Sequence, residues 1–220
     1  MKNLIIMGAG DFARDVAWWV LETDGNYCMH FVDDTDDAPV HVSVGNCLIP
    51  VIKDWNLPQG FDSYVMGVSD PRTKYEFVSH CVKRHINPHK TMIHESAVVA
   101  PDAKIRYGGI IGPNCRVGLN VELGSFVTMG PGCIIGHDTI IRDYCTLMPG
   151  SIVSGNCLLD TGVLVGAGAV IKEKISVGPW NKIGILAAVV DNMKGAEGVI
   201  RGVPARWFPE ELSTYESCLK

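Results

Sequence analysis

From Ile93 onward every sixth residue is aliphatic: Val99, Ile105, Ile111, Val117, Leu123, Met129, Ile135, Ile141, and so on to Val189. In a chain that is 47% apolar, 17 such hits in a row have a chance probability of roughly three in a million, so the period is real. The next residue is Gly in eight of the 17 hexads, and the fifth position is small in 14. A large inward residue alternating with a small one, with Gly expected at the bend, predicts short strands turning a corner every six residues. Three such strands close an 18-residue triangular coil. Seventeen hexads make just under six coils, stacking to about 27 Å at ~4.8 Å per strand spacing.

The first 90 residues follow another pattern. Leu4–Met7 reads as a buried strand, Gly8-Ala9-Gly10-Asp11-Phe12-Ala13 as a turn, and Val16, Trp19 and Val20 recur at helical spacing. Met29–Val32 ends in Asp33-Asp34 as a second strand, Ser63–Val68 reads as a third, and Arg72–Lys83 as a second helix. The expectation is an α/β, Rossmann-like βαβαβ domain: a small parallel sheet with helices on both faces. The turn fits a Gly-x-Gly-x-x-Ala dinucleotide fingerprint, with Asp33 placed 25 residues after Gly8. About 90 residues supply only half of a dinucleotide fold, which weighs against NAD. A backbone-lined turn at a helix N-terminus still suits a phosphate, and a plain tight strand-to-helix turn is the alternative.

Composition narrows the classes. The net charge of −5 and the absence of long Lys/Arg runs argue against nucleic acid. No apolar stretch reaches the roughly 18 residues of a membrane span, and Gly8, Gly10 and Asp11 interrupt the N-terminal apolar run before a secretory segment is complete. A soluble, cytoplasmic protein is expected, without membrane insertion. Of eight cysteines, Cys115, Cys133, Cys145 and Cys157 fall in the small inward column, which predicts packing thiols rather than disulfides or metal ligands. Cys115 and Cys133, 18 residues apart, are expected to stack on adjacent coils.

The repeat resembles that of the hexapeptide-repeat acyltransferases, which implies a left-handed parallel β-helix; Gly202-Val203-Pro204-Ala205-Arg206 matches their Gly-x-Pro-Ala-Lys/Arg ending. Joined to the N-terminal unit, the chain resembles the sugar O-/N-acetyltransferase family, which includes bacterial UDP-4-amino-sugar N-acetyltransferases and sialic-acid O-acetyltransferases. The motifs are the Gly-Ala-Gly-Asp-Phe-Ala-Arg turn, Phe31-Val32-Asp33-Asp34, Gly67-Val68-Ser69-Asp70-Pro71-Arg72, Gly136-His137-Asp138 and Ser154-Gly155-Asn156. The resemblance implies three domain-level parts. Residues 1–88 are an acceptor domain holding a nucleotide sugar through Gly10, Asp11, Phe12, Asp33, Asp34 and Gly67. Residues 89–200 are a β-helix holding acetyl-CoA, and 201–220 are a tail. It also implies a homotrimer with active sites between subunits. Many members carry Gly-His where this chain has Asp11-Phe12.

Acyl transfer from a thioester needs a base and donors for the developing oxyanion. His137 is the histidine well inside the repeat, at a corner where an outward direction is expected, and Asp138 is placed to orient it. Gly155, one coil on, is expected beside His137 and leaves a notch. In the resembling family the matching His is the catalytic base, supported by the adjacent acid. The resemblance places acetyl-CoA against Ala167, Ile185 and Arg206, and puts Thr146 where some members carry a second His near the acetyl group. With the cysteines turned inward, a direct ternary mechanism is expected. His89 and His94 have a His-x4-His spacing, but His137 lies more than two coils away, so one chain cannot bring the three to a zinc ion and no metal is expected. Sugar O-acetylation is the alternative activity. A non-catalytic, trimeric nucleotide-binding protein is the alternative of another class. Trp207 and Phe208 are expected to pack on the helix end, with Pro209-Glu210-Glu211 as a helix start.

Overall fold

The computed structural model describes residues 2–23, 25–53, 60–61 and 63–210. The N-terminal elements are β1 (Lys2–Met7), α1 (Asp11–Thr23), β2 (Tyr27–Val32), β3 (His41–Val44), β4 (Cys47–Ile52), β5 (Ser63–Met66) and α2 (Pro71–Lys83). They form one sheet in the order β3-β4-β2-β1-β5, parallel except for the β3–β4 hairpin. Alternation along β1 explains the two layers: Leu4 and Ile6 pack with Val16 and Val20 of α1, whereas Ile5 and Met7 pack with Cys81 of α2. The order departs from βαβαβ in one respect. Between β2 and β5 the described chain makes a hairpin, and the second helix follows β5. Val42, Val44 and Ile49 bury one face of that hairpin against α1, whereas Val40 and Leu48 stay exposed.

From residue 92 onward, 17 two-residue strands, β6 to β22, run from Met92–Ile93 to Ala188–Val189, one every six residues. Each pairs in parallel with the strands 18 residues before and after it, giving a three-sided β-helix of just under six coils. The first face starts at Met92–Ile93, the second at Val98–Val99 and the third at Lys104–Ile105. The second residue of each strand faces in. From Ile111 to Val189 all 14 are buried, while Ile93, Val99 and Ile105 lie at the open end. The cysteines of the inward column are buried as expected; Cys115 Sγ donates to Gly130 O at 3.0 Å, and Cys133 Sγ to Met148 O at 3.2 Å.

The bend is not made by the glycines that follow the aliphatics. The left-handed residue comes two positions later, at every sixth residue from Gly108 and Asn114 through Asp138 to Leu186. The post-aliphatic glycines serve stacking instead. A Cβ on Gly136 would stand 2.5 Å from Gly155 N, and one on Gly118 2.9 Å from His137 N.

The N-terminal domain sits on the first face of the β-helix. The outward residues Ile110, Thr128 and Thr146 are buried there, and Phe126 joins the core beneath α2. Lys74 of α2 is completely buried, and its ammonium donates to Phe126 O (3.0 Å), Cys145 O (3.0 Å) and Thr128 Oγ1 (3.3 Å). His89 and His94 are spent on the same junction: His89 Nε2 lies 3.0 Å from Tyr27 Oη, and His94 Nε2 3.0 Å from Glu22 Oε2. At the far end, β23 (Gly198–Gly202) extends the first face and β24 (Ala205–Pro209) pairs antiparallel to it. Trp207 packs on the helix end and donates Nε1–H to buried Asn181, while Phe208 lies against Arg201. Pro209 ends the strand, paired with Gly198, and Glu210 directly after it is in 3-10 helical conformation; Glu211 lies outside the described residues.

Candidate active site

His137 stands at the corner between the second and third faces, with its side chain 62% exposed. Its Nδ1 is 2.7 Å from Asp138 Oδ2, and Asp138 Oδ1 accepts from Asn120 Nδ2 at 2.8 Å. Asp138 takes the left-handed conformation of the corner, and this turns its carboxylate back toward the preceding side chain. The hydrogen bond from Asn120, then that from His137, holds its carboxyl below the usual range, so it is ionised and accepts. Nδ1 therefore donates to Asp138, and in the neutral ring Nε2 is the acceptor. Gly155 forms the wall on that side, since a Cβ there would meet Nε2 at 2.8 Å and Cε1 at 2.9 Å. The corner holds an exposed imidazole, a carboxylate bonded to its Nδ1, and a glycine under its ring. Asn120 was missed in the sequence reading, although its place 18 residues before Asp138 is the signal that finds it.

The expected acceptor residues gather at the end of β1 and the start of α1. Space beside Gly10 is open, Asp11 is exposed with Arg14 Nη1 at 3.5 Å, and Phe12 is half-buried edge-on to Trp19. Asp33 is largely occupied by the turn itself: Oδ2 accepts from Ala9 N (2.9 Å), and Oδ1 from Thr35 N and Oγ1 (3.1 and 2.6 Å). Burial raises the Asp33 pKa, but these bonds and Lys53 outweigh it and leave the net shift downward. Asp34 follows it beyond β2. Gly67 serves packing, since a Cβ would collide with Ala13 Cβ and Ile6 Cγ2 at 2.7 Å. A cavity of about 230 Å³ opens between Asp11, Phe12 and Asp15 on one side and Pro131, Met148 and Pro149 on the other.

The expected acetyl-CoA residues fall at the corner between the first and second faces. Ala167 accepts from Leu186 N at 3.0 Å, and Ile185 and Leu186 are 74% and 69% exposed. Arg206 is paired across β23–β24 with Arg201, whose Cβ lies 3.5 Å from the Cβ position of Gly184, so the arginines stand near Ile185. Thr146 lies on the first face, where it is buried, donates its hydroxyl to Ser69 O at 2.6 Å and lines the cavity beside Asp11 and Phe12. In a three-sided coil the corner carrying His137 is opposite the first face. One chain thus brings together His137, Asp138, Asn120 and Gly155, but not the acetyl-CoA corner. A surface cavity of about 440 Å³ lies on the third face with none of the expected residues, and its Lys104 is paired with Glu122 at 2.7 Å. Among the described residues no group of three His, Cys, Asp or Glu side chains is placed to hold a metal ion.

A β-helix of hexapeptide coils behind a Rossmann-like sheet is a fold shared with solved acetyltransferase structures. No family model matches the chain, and no curated protein matches it. Among solved structures, it superposes on the acetyltransferase domain of PglB from Neisseria gonorrhoeae FA1090 with a TM-score of 0.82, at 23% identity, covering 94% of this chain and 100% of that one. That domain is also solved in complex with acetyl coenzyme A. Perosamine N-acetyltransferase from Caulobacter crescentus, in complex with CoA and GDP-perosamine, matches at TM-score 0.82 and 20% identity, over 94% and 97% of the two chains. WeeI from Acinetobacter baumannii AYE matches at 0.79 and 20%, over 94% and 100%.

Proposed function

We propose that this chain is an acetyl-CoA-dependent acetyltransferase acting on a nucleotide-linked amino sugar. The observation that carries the reading is the His137 corner: an outward imidazole, held by Asp138 and Asn120, facing the notch at Gly155. His137 Nε2 takes the proton of the acceptor amine as its nitrogen attacks the thioester carbonyl. The imidazolium, stabilised by Asp138, returns that proton to the departing thiolate, so no acyl-enzyme is formed. The complexes of the structural neighbours with CoA and GDP-perosamine support the pairing of donor and acceptor.

In this reading residues 1–88 present the acceptor through the Gly10–Phe12 turn with Asp33, Asp34 and Gly67, and residues 89–200 hold acetyl-CoA along Ala167 and Ile185, with Arg206 of the tail near its phosphates. The site is completed between subunits of a homotrimer. The second face supports this, because its outward column includes the exposed apolar Val98, Ile134 and Val170. The seven described cysteines are all free, which suits the reducing cytoplasm; no described helix is long and apolar enough to cross a membrane.

Mass spectrometry of products, with acetyl-CoA and a panel of nucleotide-linked 4-amino sugars beside free and CMP-linked sialic acid, tests the proposal. An acetylated amino sugar that disappears with His137→Ala is expected. Acetylation of a hydroxyl sugar alone would assign O-acetyl transfer. Failure to bind CoA at all would overturn the enzyme reading.

A further inference from the structure

Trp18 is the anomaly of α1. Its neighbour Trp19 is buried, yet Trp18 is 46% exposed on the stripe Asp11, Asp15, Trp18, spaced i, i+4, i+7 along one side of the helix. The ring is nonetheless fixed in place. It lies across the β3–β4 turn, where a Cβ on Gly45 would meet Cζ3 at 2.9 Å, and Gly45 sits at φ +55°. Around the ring is a cleft of about 360 Å³, lined by Asp11, Arg14, Asp15, Trp18, Ser43 and Gly45. It shares Asp11 and Asp15 with the cavity beside Phe12, so the two run on from one another across the start of α1.

We infer that this cleft is a saccharide subsite, taking a second, neutral or amino-bearing sugar unit beyond the one presented for acetylation. A held, half-exposed indole is a flat apolar platform for the C–H face of a pyranose. Two carboxylates, a guanidinium and a hydroxyl at its rim are the acceptors and donors that ring hydroxyls require. The volume falls at the small end of ligand sites, suited to a single sugar ring. Two carboxylates against one Arg disfavour a phosphorylated or carboxylated unit and favour an ammonium. The inference rests on the reading that the acceptor lies at the Gly10–Phe12 turn, and it makes that acceptor longer than a single nucleotide sugar.

The test is fluorine NMR of the full chain labelled with 5-fluorotryptophan, the Trp18 signal being assigned by its loss in Trp18→Phe. The probes are chitobiose, its de-N-acetylated form and glucose 1-phosphate. Either disaccharide is expected to move the Trp18 signal saturably, the amino form more tightly, with glucose 1-phosphate inert. Asp15→Asn should remove the preference for the amino form, and Trp18→Ala should weaken binding, read on the remaining tryptophan signals, at least roughly fivefold. A Trp18 signal unmoved by both disaccharides at roughly 10 mM, tenfold above a millimolar Kd, overturns the inference, as does an equal response to the phosphate. If wild type fails here yet acetylates a nucleotide amino sugar, only the subsite falls; if it neither binds a disaccharide nor acetylates any sugar, the acceptor reading falls with it.

Discussion

Residue 155 controls the imidazole of His137 by having no side chain. A methyl group in Gly155→Ala would stand 2.8 Å from Nε2, closer than real Cβ contacts allow, so the ring must leave the position in which it meets Asp138 at 2.7 Å. We expect kcat to fall by roughly tenfold or more with acetyl-CoA affinity unchanged, because in the proposed mechanism the misplaced group is the base and not the binding surface; steady-state kinetics with direct CoA titration reads both. Asn120 acts on the same corner through charge. Its hydrogen bond is the largest cause of the lowered Asp138 pKa, so Asn120→Ala should raise that pKa toward the ordinary carboxylate value. A carbon-13 NMR titration of the Asp138 carboxyl in wild type and variant reads that rise directly. The Gly-His-Asp corner was legible in the sequence because an 18-residue coil dictates what stacks on what. The bond of the Thr146 hydroxyl was not, because it depends on Ser69, a residue 77 positions away in another domain.

Among the elements, α2 has the decisive placement. Asp70 caps it, accepting from Thr73 N at 2.9 Å, and Pro71 starts it, so the helix begins where the loop carrying Ser69 meets the β-helix. One turn on, Lys74 is sealed under it. Burial pushes its pKa down to about 7, although Cys145 and Asp70 pull it upward. A base whose folded pKa lies below its unfolded value leaves the unfolded chain holding more protons between about 7 and the usual lysine range. Lys74 therefore makes stability rise with pH across that window, by on the order of 1 kcal/mol per pH unit at most. Thermal unfolding at stepped pH should show this slope in wild type and lose it in Lys74→Met. At neutral pH that variant should also melt lower, since two carbonyls and a hydroxyl lose their donor. The existence of α2 was readable from its spacing and its Asp-Pro start. The β3–β4 hairpin was not, because four- and six-residue strands around Gly45-Asn46 carry too short an alternation to separate from a loop.

For the whole molecule, the question is how two opposed parts of one triangular rod serve one reaction. His137 occupies one edge of the second face, and Ala167 with Ile185 the other, with the apolar Ile134 and Val170 between them. In the proposed homotrimer, packing around a threefold axis would lay one edge of this face against the other edge of a neighbour, and each site would take its base from one subunit and its acetyl-CoA wall from the next. The six-residue repeat made the rod legible, but not this arrangement, because symmetry is a property of outward side chains that the inward period leaves free. The consequence is measurable by complementation. His137→Ala removes the base and Ala167→Trp blocks the opposite corner, so each variant alone should be inactive. When the two are co-expressed in equal amounts and assemble at random, an ordered pair of neighbours supplies an intact base and an intact corner in about one site of four. Roughly a quarter of wild-type activity should return, and it should be absent when separately purified variants are mixed too briefly to exchange subunits. A site complete within one chain predicts no recovery under any mixing, because no chain then carries both intact parts.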